Sequence, residues 1–552
     1  MSTSVLLLSM SLSAREPEHA RHAMVVVQEP LAADVGLRVL QSGGNAVDAA
    51  VAVAFALAVT YPYAGNIGGG GFLLARLADG RTTFIDFREK APLAAARNMY
   101  LDSKGNLTND SVVGWRASGV PGTVRGLELA HQKYGHKPWA ELVDPAIKFA
   151  TEGFPVSYSM DTSLHRESKV KLLSQFPESK RIFLSVHYGD KLVQPELAAT
   201  LKRIRDFGAS DFYEGETAQK LAAAMASHGG LITLADLKAY RAIEQEPLRG
   251  RYHGDEIITA PPPSAGGVGL LQMLEMLEGS GYEKTGAGSA ASIHYVAEVM
   301  RRAYADRSEY FGDPQFYKVP VHKLLDPHYI ATRRDSIDVA HATPSSQIRP
   351  GQLGAPEGTE TTHFNIVDQE GNAVAVTYTL NDGYGSGVTV PGLGFLLNDE
   401  MDDFAAKPGV ENLFHLMQGE ANAIQPGKRP VSSMTPTIIT RDGKLFLMLG
   451  APGGSRIPNG VLQVILNVED FHMNVQDAVD WPRFHHQWMP DELYVEKGIS
   501  PDTVALLRAM GHEVAPLESS SPVVARVAAI LNESGWLQGA SDSRGDGKAE
   551  GY

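Results

Sequence analysis

The sequence changes character once, and that change narrows the folds open to it. From about Pro121 to Tyr240 the apolar residues recur mostly with helical spacing, and Ile293 to Asp306 predicts another helix. Between Ala340 and Glu360 the periodicity dissolves into a Pro-, Gly- and Ser-rich stretch that reads as a linker. Directly after it come short strand pairs. His363 to Val367 and Ala373 to Thr379 flank the turn Glu370-Gly371-Asn372, and Thr437 to Thr440 and Leu445 to Leu449 flank Asp442-Gly443. A last hairpin turns near Ser534-Gly535, and helices are predicted at about 458–467, 475–480 and 501–510. The N-terminal part adds a helix opened by Pro30, a second from Ala46 to Val59 capped by Asn45, and a hairpin of Phe72–Leu77 and Thr82–Phe87 around Asp79-Gly80. Helices and strands in separate runs predict an α+β chain of stacked layers, not a βαβα winding.

Composition then removes whole classes of function. Hydrophobic residues make up 43% of 552, enough for a large core. The net charge is −15 with no basic block, so nucleic acid and anionic lipid are poor partners. With no cysteine, thiolate nucleophiles, disulfides and thiolate metal sites are all absent. The longest apolar stretch, Ala49 to Val59, is shorter than the roughly 20 residues a membrane span needs. At the N-terminus Val5 to Leu12, followed by Ser13-Ala14, reads as the core and cleavage end of an export signal that lacks its basic lead. Residues 1–22 are therefore assigned to a signal or disordered start, and the periplasm or the exterior is the expected location.

Familiar catalytic motifs are missing. There is no Gly-x-Ser-x-Gly elbow, no phosphate-binding loop and no His-Glu-x-x-His, and the run Gly68 to Gly71 has the wrong spacing for a dinucleotide. Adjacent His485 and His486 point apart on any regular element, so packing and hydrogen bonding is the better reading than a metal site. What remains is a hydroxyl. Thr361 stands where the linker meets a strand, and a threonine is a weak nucleophile unless a base lies beside it. Its own α-amine would serve if the preceding peptide bond were cut, since a free α-amine has a pKa of about 7.7–8.0.

The surroundings of Thr361 strengthen this. Asn45-Ala46-Val47-Asp48-Ala49-Ala50, Gly65 to Gly71 and Asp86-Phe87-Arg88-Glu89-Lys90-Ala91-Pro92 stand in the first part of the chain. Thr361-Thr362-His363-Phe364, Leu397 to Phe404, Lys428 to Met434, Pro452 to Arg456 and Pro482 to Trp488 follow in the second. In this order, from about residue 23 to the C-terminus, the set resembles γ-glutamyltransferase, a family of N-terminal-nucleophile hydrolases. The resemblance implies a four-layer αββα sandwich and self-cleavage between Glu360 and Thr361. A large subunit (23–360) and a small one (361–552) would stay associated, and no metal or organic cofactor is implied. Small-molecule substrates are implied: glutathione, other γ-glutamyl compounds, and amino-acid or peptide acceptors.

It also implies roles residue by residue. Thr361 is the nucleophile, and Thr379 hydrogen-bonds its amine or hydroxyl. The N–H groups of Gly453 and Gly454 stabilise the oxyanion. Arg88, with Ser432 and Ser433, grips the substrate α-carboxylate, while Asn381, Glu400 and Asp403 take the α-ammonium. A lid is expected over Ala405 to Gly427, with Phe414 where many bacterial members carry Tyr. Two other readings stand beside this one: a β-lactam side-chain (glutaryl-type) acylase of the same superfamily, and a non-catalytic amino-acid-binding relative.

Overall fold

The computed structural model describes residues 15–349, 361–407, 419–517 and 523–552. Its frame is two seven-stranded antiparallel sheets built from fourteen strands. In chain order these are β1 (Glu18–Ala20), β2 (Met24–Val27), β3 (Gly70–Arg76), β4 (Thr82–Asp86), β5 (Ile243–Gln245), β6 (Leu248–Tyr252) and β7 (Asp255–Thr259). The later seven are β8 (Thr362–Val367), β9 (Ala373–Thr379), β10 (Thr437–Arg441), β11 (Lys444–Gly450), β12 (Ala528–Glu533), β13 (Trp536–Ser541) and β14 (Lys548–Gly551). One sheet runs β14-β2-β8-β9-β3-β4-β5, and the other runs β1-β13-β12-β11-β10-β7-β6.

Six helices flank the sheets where the functional residues lie: α1 (Pro30–Gln41), α2 (Ala46–Thr60), α3 (Tyr158–Leu164), α4 (Gly266–Leu277), α5 (Ala290–Tyr310) and α6 (Ile457–Glu469). Helix α2 starts at a capping box between Asn45 and Asp48, and all fifteen of its residues are buried. Its alanines let it lie close against both α1 and the β8–β9 pair. Helices α4, α5 and α6 cover the outer face of the other sheet, which completes the αββα layering. Strand side chains alternate between the layers accordingly. Val25, Val27, Phe364, Ile366, Val374 and Val376 join the core under α1 and α2. Met24, Val26, Ala373 and Ala375 join the core between the sheets. Because both faces of each sheet are covered, the strands read as nearly continuous apolar runs.

Most predicted elements are present, with shifted ends. The helix expected over Ile293–Asp306 extends to Ala290–Tyr310. The sheet takes in Glu18–Ala20, paired with residues 537–539, so the ordered body begins ahead of residue 23. The stretch read as a linker is fastened at its near end. Ser345 donates to Asp491 through its N–H (2.7 Å) and its hydroxyl (2.8 Å), and Trp488 Nε1 donates to the carbonyls of Ser345 and Ile348. Glu360, Phe414 and residues 1–14 lie outside the described residues.

The two parts of the chain on either side of residue 360 are interlaced. Strand β2 sits between β8 and β14, and β3 borders β9. The other sheet joins β1 to β13 and β7 to β10. A cut within 350–360 should therefore leave a single body: the fragments should co-elute in size-exclusion chromatography and part only in denaturant. Separation in native buffer would contradict this pairing.

Candidate functional site

The central hairpin of the first sheet sets the site. Thr362 faces Tyr378 in the β8–β9 register, and one further step puts Thr361 across from Thr379. Phe364 and Ile366 point toward α2, so His363 and Thr361, of opposite parity, point between the sheets. The His363 ring confirms the direction, lying against Gly450 of β11 so closely that a Cβ there would come within 2.3 Å of it.

Thr361 is buried and lines a small cavity with Arg88, Asn381, Glu400, Asp403, Ser432 and Ser433. Six candidate binding residues thus converge on the candidate nucleophile. Met434 and Ile457 complete the wall. The free volume is about 10 Å³, on the scale of one water molecule, so this pocket must open before a substrate enters.

The charges inside are arranged around Arg88. Its Nη1 donates to Glu400 Oε1, and its Nη2 donates to Asp403 Oδ2 and to the Val431 carbonyl (2.9 Å). The guanidinium expected to grip a substrate carboxylate is here held by the two acids expected to take an ammonium. The reason is desolvation: three buried charges without water are tolerable only when paired with one another. Asp403 Oδ1 is left buried with no hydrogen-bond partner.

Glu89 adds a third acid that the sequence reading did not single out. It is wholly buried, and its carboxyl reaches Arg88 Nη1 only at 3.8 Å, beyond hydrogen-bonding distance. Burial pushes its pKa up to about 8, against the opposing pull of the Arg88 charge. Burial likewise raises Glu400, with Arg88 again opposing. Glu89 therefore carries its proton at neutral pH, which limits the negative charge around one arginine.

The serines keep their donors available. Ser432 Oγ accepts from the Met434 N–H (3.1 Å), and Ser433 Oγ accepts from Arg307 Nη2 (2.6 Å). Each hydroxyl proton can still be given to an anion, and the cation behind Ser433 polarises it toward doing so. Arg307, buried on α5, is another residue the sequence reading missed. Only the folding of α5 against the Ser432-Ser433 segment reveals it.

Thr379, Gly453 and Gly454 frame the cavity without lining it. Thr379 Oγ1 accepts the Asn381 N–H (2.8 Å), fixing a turn in which Asn381 has φ 79°. Gly453 and Gly454 open the turn into α6, and their φ values of 138° and 56° suit glycine. A Cβ on Gly453 would also lie 2.9 Å from the Val524 carbonyl. N–H groups at the start of a helical turn have no acceptor within it, so they are available to an oxyanion. Gly453 also borders a second cavity of about 690 Å³, walled in part by Tyr63, Tyr384 and Arg526.

Two histidine questions are answered by hydrogen bonding. His363, next to the nucleophile in sequence, is bonded to Thr377 Oγ1 (2.8 Å) and Asn365 Oδ1 (3.1 Å). Burial lowers its pKa to about 3, so it stays neutral, and its ring is committed elsewhere. His485 meets Asn459 and Gln487, and His486 Nδ1 accepts the Trp488 N–H, as packed histidines do.

Known proteins share this arrangement to different degrees. The sequence model of the gamma-glutamyltranspeptidase family matches residues 32–552. The glutathione hydrolase proenzyme of Escherichia coli K12 is 48% identical, over 97% of this chain and 93% of that protein. Among solved structures, the gamma-glutamyltranspeptidase of Helicobacter pylori aligns with a TM-score of 0.58 at 43% identity, covering 62% of this chain and 98% of that one. Cephalosporin acylase from Bacillus halodurans aligns with a TM-score of 0.86 at 28% identity, covering 99% of each chain. Backbone shape is thus shared by both activities, and discrimination falls to the pocket's side chains.

The buried Glu89 carboxyl has a measurable signature. Its proton is kept in the fold to about pH 8 but leaves the unfolded chain near 4.5, so between those values the folded state binds more protons. Stability must then fall as pH rises through that window. In Glu89→Gln this contribution disappears, so its melting temperature should gain on wild type between pH 5 and pH 8.5. Parallel curves would show that Glu89 ionises normally.

Proposed function

The chain belongs to the gamma-glutamyltranspeptidase family, and on that premise we propose how its own residues carry out γ-glutamyl transfer. The enzyme cleaves the γ-glutamyl amide bond of glutathione and related compounds and passes the acyl group to water or to the amine of an amino acid or peptide. It is made as a precursor that cuts itself between Glu360 and Thr361. Residues 23–360 and 361–552 become the two subunits, and the N-terminal segment directs export to the periplasm or beyond.

One observation carries the reading: Thr361 shares a single buried cavity with Arg88, Asn381, Glu400, Asp403, Ser432 and Ser433. A γ-glutamyl group brings one carboxylate and one ammonium into that space. The carboxylate takes the Ser432 and Ser433 hydroxyls and a share of Arg88, while the ammonium takes Asp403 Oδ1, Glu400 and the Asn381 amide oxygen. Arg88 and the two acids thereby exchange part of their mutual pairing for substrate charges, and no buried charge is left alone.

Catalysis begins when the free α-amine of Thr361 draws the proton from its own Oγ, which attacks the γ-carbonyl carbon. The Gly453 and Gly454 N–H groups hold the resulting oxyanion, each worth about 2.7–4 kcal/mol. The C–N bond then breaks, the leaving amine takes the proton, and a γ-glutamyl ester remains on Thr361. Water or an acceptor amine attacks that ester with the α-amine again as base. The cavity beyond Gly453 supports this step, since its volume of about 690 Å³ suits a peptide-sized acceptor.

The alternative glutaryl-type acylase shares the backbone but lacks a use for Asp403 Oδ1. A glutaryl group has no ammonium and would leave that oxygen buried and unpaired. The non-catalytic reading leaves the glycine turn beside a nucleophile without a purpose.

Two experiments decide among these. Wild-type protein should run as two bands on a denaturing gel and turn over a γ-glutamyl anilide, whereas Thr361→Ala should remain one band with no turnover. A Thr361→Ala chain that still splits would contradict the mechanism. Wild type should also prefer γ-glutamyl over glutaryl anilide by a factor on the order of 10⁴ in kcat/KM. Asp403→Ala should narrow that preference by lowering the γ-glutamyl value; equal rates in wild type would favour the acylase.

A further inference from the structure

Away from the catalytic cavity, two groups of ligand-type side chains converge among the described residues. One, His294, Glu298 and His512, is sealed in the core. There Glu298 already serves Arg302 and the Thr343 N–H, and the two rings bond each other. The other lies near the surface and is arranged differently.

Asp161 and His165 are one turn apart on and just past α3, and His187 approaches from the loop that returns toward residues 154–156. His165 Nδ1 lies 2.9 Å and His187 Nδ1 lies 3.5 Å from the same oxygen, Asp161 Oδ1. The two imidazoles stack with centroids 4.4 Å apart and planes 16° from parallel. Asp161 Oδ1 and His165 Nε2 are buried atoms without a hydrogen-bond partner, despite those short approaches. His165 Nδ1 also lies 3.1 Å from the Asp161 carbonyl, a contact that a stronger ligand would replace.

The backbone holds this arrangement in place. Val156 donates to the Asp190 carbonyl (2.8 Å), Gly189 donates to the Val156 carbonyl (3.0 Å), and the His187 N–H is held by Asp190 Oδ2 (2.8 Å). The loop is therefore tied to the segment leading into α3 before any ligand arrives.

We propose that Asp161, His165 and His187 bind a divalent transition-metal ion, with zinc the best fit. Tetrahedral zinc with bonds of about 2.0–2.2 Å sets its ligand atoms roughly 3.3 Å apart. The observed separations of 2.9 and 3.5 Å bracket that value. Two imidazoles and one carboxylate favour zinc, copper or nickel over magnesium or calcium. His187 is 67% exposed, so the fourth position opens to solvent and takes water. The site is separate from the Thr361 cavity, and its occupancy can be read without an activity assay.

The test is calorimetric titration of zinc into chelator-stripped, full-length protein. One saturable site per chain is expected, with a dissociation constant in the micromolar range or tighter. Asp161→Ala and His187→Ala should each weaken it at least tenfold. Replacing His228, an exposed histidine stacked on Trp115, should change nothing. Cobalt titrated in place of zinc should give the visible ligand-field bands of a low-coordinate ion in wild type, absent from His187→Ala. Metal-free melting curves matching wild type would establish that the variants fold, and His187→Gln repeats the measurement if Ala does not. Failure of wild type to saturate, or wild-type affinity in His187→Ala, would overturn the assignment.

Discussion

The register between β8 and β9 is the constraint on which the rest depends. It puts Thr361 across from Thr379 at the end of a central hairpin, with its side chain turned into the gap between two sheets. A slip by one residue would point that side chain at α2 instead, because strand faces alternate. The pairing cannot easily slip: β2 and β3, from the first part of the chain, close the hairpin on both sides. The same contacts that aim the nucleophile also hold together the two pieces that a cut beside it would create.

Around that point the pocket solves an electrostatic problem. One arginine, Arg88, lies among Glu89, Glu400 and Asp403 in a space that excludes water. Full ionisation of all three acids would leave unpaired negative charge in a poor solvent for it. Burial raises Glu89 and Glu400, and Asp403 keeps one oxygen unpartnered. A ligand bearing both signs of charge suits such a site better than any simple anion or cation. The acid-rich surroundings of Arg88 also explain why a guanidinium poised for carboxylate does not stand open in the unliganded pocket.

Much of this was legible along the chain. Turn signals such as Asp79-Gly80, Asp442-Gly443 and Ser534-Gly535 mark hairpins that the fold contains, because a two-residue turn acts locally. Asn45 and Asp48 announce the start of α2 for the same reason. The edge strands were harder to see: Glu18–Ala20 and Lys548–Gly551 are three and four residues long, with no turn of their own. They exist because a neighbouring strand offers its free N–H and C=O groups. Glu89 could be found only by its place beside Arg88, and Arg307 had no local signal, since a charged residue on a helix ordinarily faces solvent.

By itself the sequence determined where local structure begins and turns, that no thiol chemistry is possible, and that a threonine follows a break in pattern. Those properties depend on neighbours a few residues away. The tertiary structure decided which charges meet and how they share protons, because Arg88 is separated from Glu400 by 312 residues and from Asp403 by 315. It also decided that His165 and His187 aim at one carboxylate oxygen. Contacts of this kind appear only after loops close and water leaves, and no local pattern encodes the resulting distance or dielectric.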